Sequence, residues 1–122
     1  MTAWKISPAG VQRTLEKIPD DFKELQDALK EDSLESCFSG LEWGGAITAA
    51  VPKALYDIFD DHKDELSLII NSISAGMLGV GNATRAYQLG QQDMSGNFQR
   101  EAISSAKTGD FSYFEKNGYK GD

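Results

Sequence analysis

The sequence predicts an all-helical protein. Two long segments carry apolar residues at alternating steps of three and four, the spacing of one face of a helix. The chain has 122 residues, three prolines and one cysteine, which is the size of a single domain without a disulfide framework. A net charge of −7 without any basic cluster argues against nucleic acid as a partner.

The first segment predicts a helix over residues 8–41. Ser7-Pro8 is a helix-start signal, because Ser can cap a backbone N–H and Pro fits the first helical position. Pro19 lies inside the pattern and should kink the helix or split it after Ile18; we favour a kink, since the apolar spacing continues across it. The spacing follows a heptad seam through Val11, Leu15, Ile18, Phe22, Leu25 and Leu29.

The second segment predicts a longer helix over residues 46–94, starting either at 46–50 or near Pro52. Between the two segments, Trp43-Gly44-Gly45 predicts a turn over 42–45. We favour a continuous helix through Gly76–Gly81 over a break there. Residues 1–95 thus form an antiparallel hairpin, followed by a partly helical tail over 96–122. The second apolar seam includes Ile58, His62, Leu66, Ile69, Ile73, Met77, Val80, Thr84, Tyr87, Gln91 and Met94.

A stripe of small residues runs beside that seam. Each glycine inside a helix costs about 1 kcal/mol relative to alanine, so glycines repeated at helical spacing predict the close approach of another backbone. A lone hairpin has no third layer to cover its broad apolar faces. We therefore expect two hairpins to pair into a four-helix bundle. The expected partner interface is Ser72, Gly76, Gly79, Ala83, Ala86 and Gly90.

The sequence offers little for catalysis or metal binding. The acidic run around His62 is read as a solvated face, because the chain has one histidine and lacks the paired Glu-x-x-His spacing of bundle metal sites. Cys37 has no basic neighbour that would activate its thiol as a nucleophile. We expect no enzyme activity, no cofactor and no metal. Leu66–Val80 is interrupted by polar and small residues, so we also expect no membrane span.

The helix, Trp-Gly-Gly turn and second helix resemble the WXG family of small type VII secretion substrates. The resemblance covers residues from about 7 to 95 and rests on Trp43, Gly44 and Gly45 between the two seams. It implies a helical hairpin that is secreted, together with a tyrosine followed four residues later by an acidic residue as part of the export signal. Here Tyr87 is followed at four by Gln91, and Asp93 comes six after it.

The function implied by this resemblance is that of a non-enzymatic type VII secretion substrate or accessory protein. It would sit in the cytoplasm before export and pair, as a homodimer or heterodimer, with another helical hairpin or a larger effector. A secretion ATPase is a further possible partner. The competing hypothesis is a cytosolic chaperone or immunity-type binding module that is not exported, which the missing acidic residue at position 91 favours.

Overall fold

The computed structural model describes residues 5–39, 41 and 44–119. All regular secondary structure in these ranges is helical, which confirms the predicted all-α class. A short 3₁₀ helix, Gly45–Ile47, precedes the fourth α-helix. The α-helices are α1 (Pro8–Leu15), α2 (Ile18–Ala28), α3 (Glu31–Phe38), α4 (Ala50–Asp61), α5 (Lys63–Gln88), α6 (Gln92–Thr108) and α7 (Ser112–Asn117).

The single helix predicted over 8–41 is wrong, because three helices occupy this range. The predicted start is confirmed: the Ser7 hydroxyl accepts the N–H of Gly10 at 3.3 Å and Pro8 holds the first helical position. Pro19 does not kink a continuous helix. It lies in the first turn of α2, where its missing N–H leaves no helical bond unmade. Lys30 has an extended backbone (φ −64°, ψ 145°), which separates α2 from α3.

The helix predicted over 46–94 is also divided. His62 ends α4 with φ −100° and ψ 6°, and nothing in the sequence marks that break. The continuous helix through Gly76–Gly81 is confirmed by α5. That helix ends at Gln88, and Gly90 in the turn after it has φ +72°. The N–H of Gly90 bonds to the carbonyl of Tyr87 at 3.0 Å and that of Gln91 to Ala86 at 2.9 Å, a Schellman motif.

The chain divides into two compact units, Asp20–Ser67 and Met1–Pro19 with Leu68–Asp122. In the first unit the rings of Phe38 and Phe59 lie 5.5 Å apart between centroids. None of the described residues of that unit is fully buried. The core of the described chain lies instead in the second unit, around Phe98.

In the second unit α5 and α6 are antiparallel neighbours. The Ser95 hydroxyl donates to the carbonyl of Ala83 at 3.0 Å, and Gly79 lies against Ala102. These contacts define the register of the pair: a residue of α5 and the residue of α6 that faces it have numbers that sum to about 179. The segment expected as a tail supplies α6 and α7, and Phe114 of α7 packs on Phe98 with ring centroids 5.9 Å apart.

Candidate interaction surface

Part of the small-residue stripe of α5 packs against α6 of the same chain. Ala86 is completely buried and Ala83 nearly so, and both belong to the core cluster around Phe98. Gly79 is also buried, and a Cβ added there would collide with the Cβ of Ala102. We expected these three residues to face another chain. The neighbour that approaches them closely is instead α6, because the chain turns back on itself at Gly90.

The remaining residues of the stripe have different surroundings. Ser72 and Gly76 are exposed, and nothing lies within 4 Å of a Cβ built on Gly76. Gly90 is not in a helix at all, since its positive φ belongs to the turn between α5 and α6. The residues of this stripe, which form one pattern in the sequence, thus lie in three environments in the structure: the core, the open surface and the turn after the helix.

The larger apolar seam of α5 contributes to an exposed surface of the helix pair. Val80 follows the core residue Gly79 by one position, and Tyr87 follows Ala86 in the same way. On α6, Ile103 follows Ala102. Both helices are right-handed and they run antiparallel. The residue that follows a contact residue therefore lies on the same side of the pair in α5 and in α6. We call this side the open face: Gly76, Val80, Thr84, Tyr87, Gly96, Gln99, Ile103 and Ala106.

The open face contains no charged residue, and its three large side chains are exposed while Thr84, Gly96 and Ala106 are half-buried. Ile103 is 63% exposed, Val80 48% and Tyr87 44%. The other members are Gly, Ala, Thr and Gln. Ile69, also 48% exposed, extends the α5 row by seven residues from Gly76. Large apolar side chains grouped on one exposed surface are typical of a binding site.

The opposite side of the same helix pair is covered around Asn82 and Met94, whereas Leu78 on that side is 39% exposed. The backbone N–H of Tyr119 donates to Asn82 Oδ1 at 2.7 Å, and the Tyr113 hydroxyl contacts the sulfur of Met94 at 3.8 Å. Asn82 and Met94 each precede a core residue by one position, which places them on the side opposite the open face. We call it the α7 face. Phe98 between the two sides is fully buried and packs on Tyr113, Phe114 and Tyr119.

The predicted turn motif is described only in part. Trp43 lies outside the described residues. The N–H of Gly44 donates to Thr48 Oγ1 at 3.0 Å, and Gly45 begins the 3₁₀ helix with φ +59°, a conformation that side chains disfavour.

The predicted export-signal residues surround the α5–α6 turn. Tyr87 lies on the open face near the end of α5, and Asp93 is exposed in the first turn of α6. Gln91 lies between the helices, where its Oε1 accepts a hydrogen bond from the Tyr119 hydroxyl. The structure therefore brings these three residues to one end of the helix pair.

The acidic run gives no catalytic or metal-binding geometry in the described residues. His62 Nδ1 lies 2.9 Å from Glu65 Oε2, and Lys53 lies 2.7 Å from Asp57; all four side chains are exposed. No group of three potential ligands gathers in the part of the chain that the structure describes. Cys37 is exposed, and its thiol donates to the carbonyl of Ser33 at 3.4 Å.

By length and composition alone, α5 could cross a membrane. It has 26 residues and contains an 18-residue window of mean hydropathy 1.3, contrary to what its polar and small interruptions led us to expect. Core helices of soluble proteins have the same length and composition, so this property does not distinguish the two settings. Only 17% of the window is buried in the structure.

Sequence reasoning missed the α6 half of the open face. The sequence predicts only a partly helical tail for Gln99, Ile103 and Ala106, because Gly96 and the polar residues around it resemble a helix end. The available signal was the repeat Phe98, Ala102, Ser105, which marks one buried side of a helix. The exposed residues one position later could have been found from that repeat together with the antiparallel register.

The fold and the surface define a class: in the residues that the structure describes, the protein is all-helical and exposes an uncharged, largely apolar helix face. The chain belongs to DUF6507, a family of unknown function whose model matches residues 1–113. No curated protein and no solved structure matches it.

Proposed function

We propose that this protein is a non-enzymatic helical module that assembles with another helical protein, as a WXG-like type VII secretion substrate or accessory partner. The observation that carries the proposal is the open face. Val80, Tyr87 and Ile103 are exposed. Burying them against a partner would stabilise the complex by about 25 cal/mol for each Å² of apolar surface removed from water. A partner that presents two helices of its own would complete a four-helix bundle.

The turn supports the resemblance to the WXG family. Gly45 needs a conformation that glycine adopts most easily, and Gly44 is held by Thr48. The local backbone conformation thus explains why glycines follow Trp43, in addition to the match of these residues to the family motif. Trp43 would recognise the partner or cap the end of the hairpin, as the amphipathic indole ring suits both roles.

The position of Tyr87, Gln91 and Asp93 supports a role in export. All three are exposed at one end of the α5–α6 pair, where a secretion ATPase could reach them. Position 91 lacks the acidic residue of the family motif. We infer that the partner carries the complete signal and that the two proteins leave the cell together.

The test is export from a host with a type VII system, with and without its secretion ATPase. We expect the protein in the culture supernatant only when the ATPase and a neighbouring gene product are both present. Gln91→Glu completes the motif and should raise export, while keeping an acceptor for the Tyr119 hydroxyl. Gln92→Glu is the matched control, because it adds the same charge one residue later at another exposed position. Equal export of the two variants would contradict the signal assignment.

A second candidate function is a cytosolic chaperone or immunity-type module. Gln91 in place of an acidic residue favours it, as does the same open face, which would hold a client protein. This function predicts that the protein stays in the cell with and without the ATPase, and that Gln91→Glu changes nothing. Co-purification of a toxin or effector from the cytosol would then replace export as the measurement.

A further inference from the structure

We propose that the open face pairs with a second copy of this chain about a two-fold axis, with Ile103 of each copy seated over Gly76 of the other. The inference rests on the proposed function, because it names the partner of the same surface. Three observations carry it: the shape of the face at its centre, its lack of charge and its size.

The shape comes from the register of α5 and α6. The numbers 76 and 103 sum to 179, so Gly76 and Ile103 lie side by side across the pair. Gly76 has open space where a side chain would be, and Ile103 is the most exposed large residue of the open face. A two-fold axis between them places each isoleucine over the other copy's glycine. A two-fold interface requires this self-complementarity, in which residue i contacts j and j contacts i.

The absence of charge explains why a copy can approach. The whole chain carries a charge of −7, which opposes self-association, yet none of the residues of the open face is charged. Arg100 borders the face near Gly96, and its guanidinium donates to Asn97 of the same helix. A strongly basic partner would find no carboxylate among the residues of this face. The glutamine and threonine side chains suit hydrogen bonds to identical groups.

The size of the face suits a small, reversible interface. The α5 row from Ile69 to Tyr87 is about 27 Å long at about 1.5 Å per residue. Two helices packed side by side are roughly 20 Å wide. Each copy would bury about 500 Å², or roughly 1,000 Å² in total, which is near the lower limit for a specific interface.

The first experiment measures the mass of the purified full chain by sedimentation over a wide concentration range. We expect a monomer–dimer equilibrium. Ile103→Lys should raise the dimer Kd at least about tenfold, because it buries an unpaired charge. Ile58→Lys is the matched control, as Ile58 is similarly exposed (54%) but lies on α4, and it should leave Kd unchanged. Circular dichroism and thermal unfolding establish that both variants remain folded.

The second experiment tests the predicted contact directly. In a Cys37→Ser background, chains carrying Gly76→Cys are mixed with chains carrying Ile103→Cys and oxidised mildly. We expect a disulfide between the two kinds of chain. Ser104→Cys replaces Ile103→Cys in the control, since Ser104 is exposed one residue before Ser105, on the α7 side, and should not cross-link.

The outcomes separate this inference from the proposed function. A monomer at all concentrations, or a dimer unaffected by Ile103→Lys, overturns pairing with a second copy. If the monomer then captures a helical partner protein and Ile103→Lys abolishes the capture, the proposed function stands without the self-pairing. If the variant instead abolishes binding to lipid vesicles and the protein binds no protein partner, both fail and α5 is a membrane-binding helix.

Discussion

The α5–α6 pair has two sides that differ in what covers them. On the α7 face, Tyr113 and Tyr119 contact Met94 and Asn82, and Phe114 completes an aromatic cluster around Phe98. The open face has an equally regular row of residues but no covering element in the described chain. One helix pair therefore shows how this protein buries apolar surface by itself and where it leaves such surface exposed.

The largest expected effect is at the centre of the covered side. Phe98→Ala removes a fully buried ring that contacts three other aromatic residues, and should lower the free energy of unfolding by about 3–5 kcal/mol. Ile103→Ala on the open face should change the free energy of unfolding of the monomer by less than about 1 kcal/mol. Urea denaturation at a concentration where the chain is monomeric measures both. Similar losses in the two variants would mean that the open face is buried in solution.

Two glycines of α5 differ in what surrounds them, and this gives an effect of intermediate size. Gly79→Ala should destabilise the fold by about 1–3 kcal/mol, because the new methyl group collides with Ala102. Gly76→Ala meets open space and should stabilise the monomer by about 0.5–1 kcal/mol through helix propensity. Thermal unfolding of the two variants gives the sign of each change. Gly79→Leu places a larger side chain against Ala102 and should unfold the α5–α6 pair.

The smallest effect concerns the turn before α7. Asp110 Oδ1 accepts the backbone N–H of Ser112 at 2.9 Å, and this hydrogen bond lowers the pKa of the Asp110 carboxyl. Because the folded-state pKa is lowered, the stabilisation is complete above the unfolded value of about 4 and is lost as the pH falls through the folded value. Asp110→Asn should therefore be slightly less stable than the wild type at neutral pH, and the difference should vanish in strong acid. A difference that persists at about pH 2 would assign the effect to something other than ionisation.

Local signals in the sequence were sufficient for the helical class and for some helix ends. Ser7-Pro8 marks the start of α1, and the apolar spacing identifies α5 through its glycines. The same spacing failed to show the breaks near residue 17, at Lys30 and at His62. A heptad seam persists across a short interruption, since one or two non-helical residues leave the later apolar residues in nearly the same phase.

The candidate surface was less accessible from sequence. The small-residue stripe correctly indicated a close backbone approach at Gly79, but the sequence does not say which helix approaches. Val80 and Tyr87 belong to the second apolar seam, but the spacing does not say whether that seam is covered within the chain. Their exposure depends on α6 and α7 folding back onto the other sides of α5, and on the turn at Gly90 that allows it.

The sequence alone determined that the chain is helical and that α5 carries two distinct rows, one small and one large. Helical periodicity fixes both properties, because it depends only on residues near one another in the chain. Only the tertiary structure decided which row is buried. Ala83 and Ala86 became core because Phe98 and Phe114 fill the space beside them, and this contact joins residues that are distant in sequence. The row of Val80 and Tyr87 remained exposed, and it is the part of the protein on which its proposed function depends.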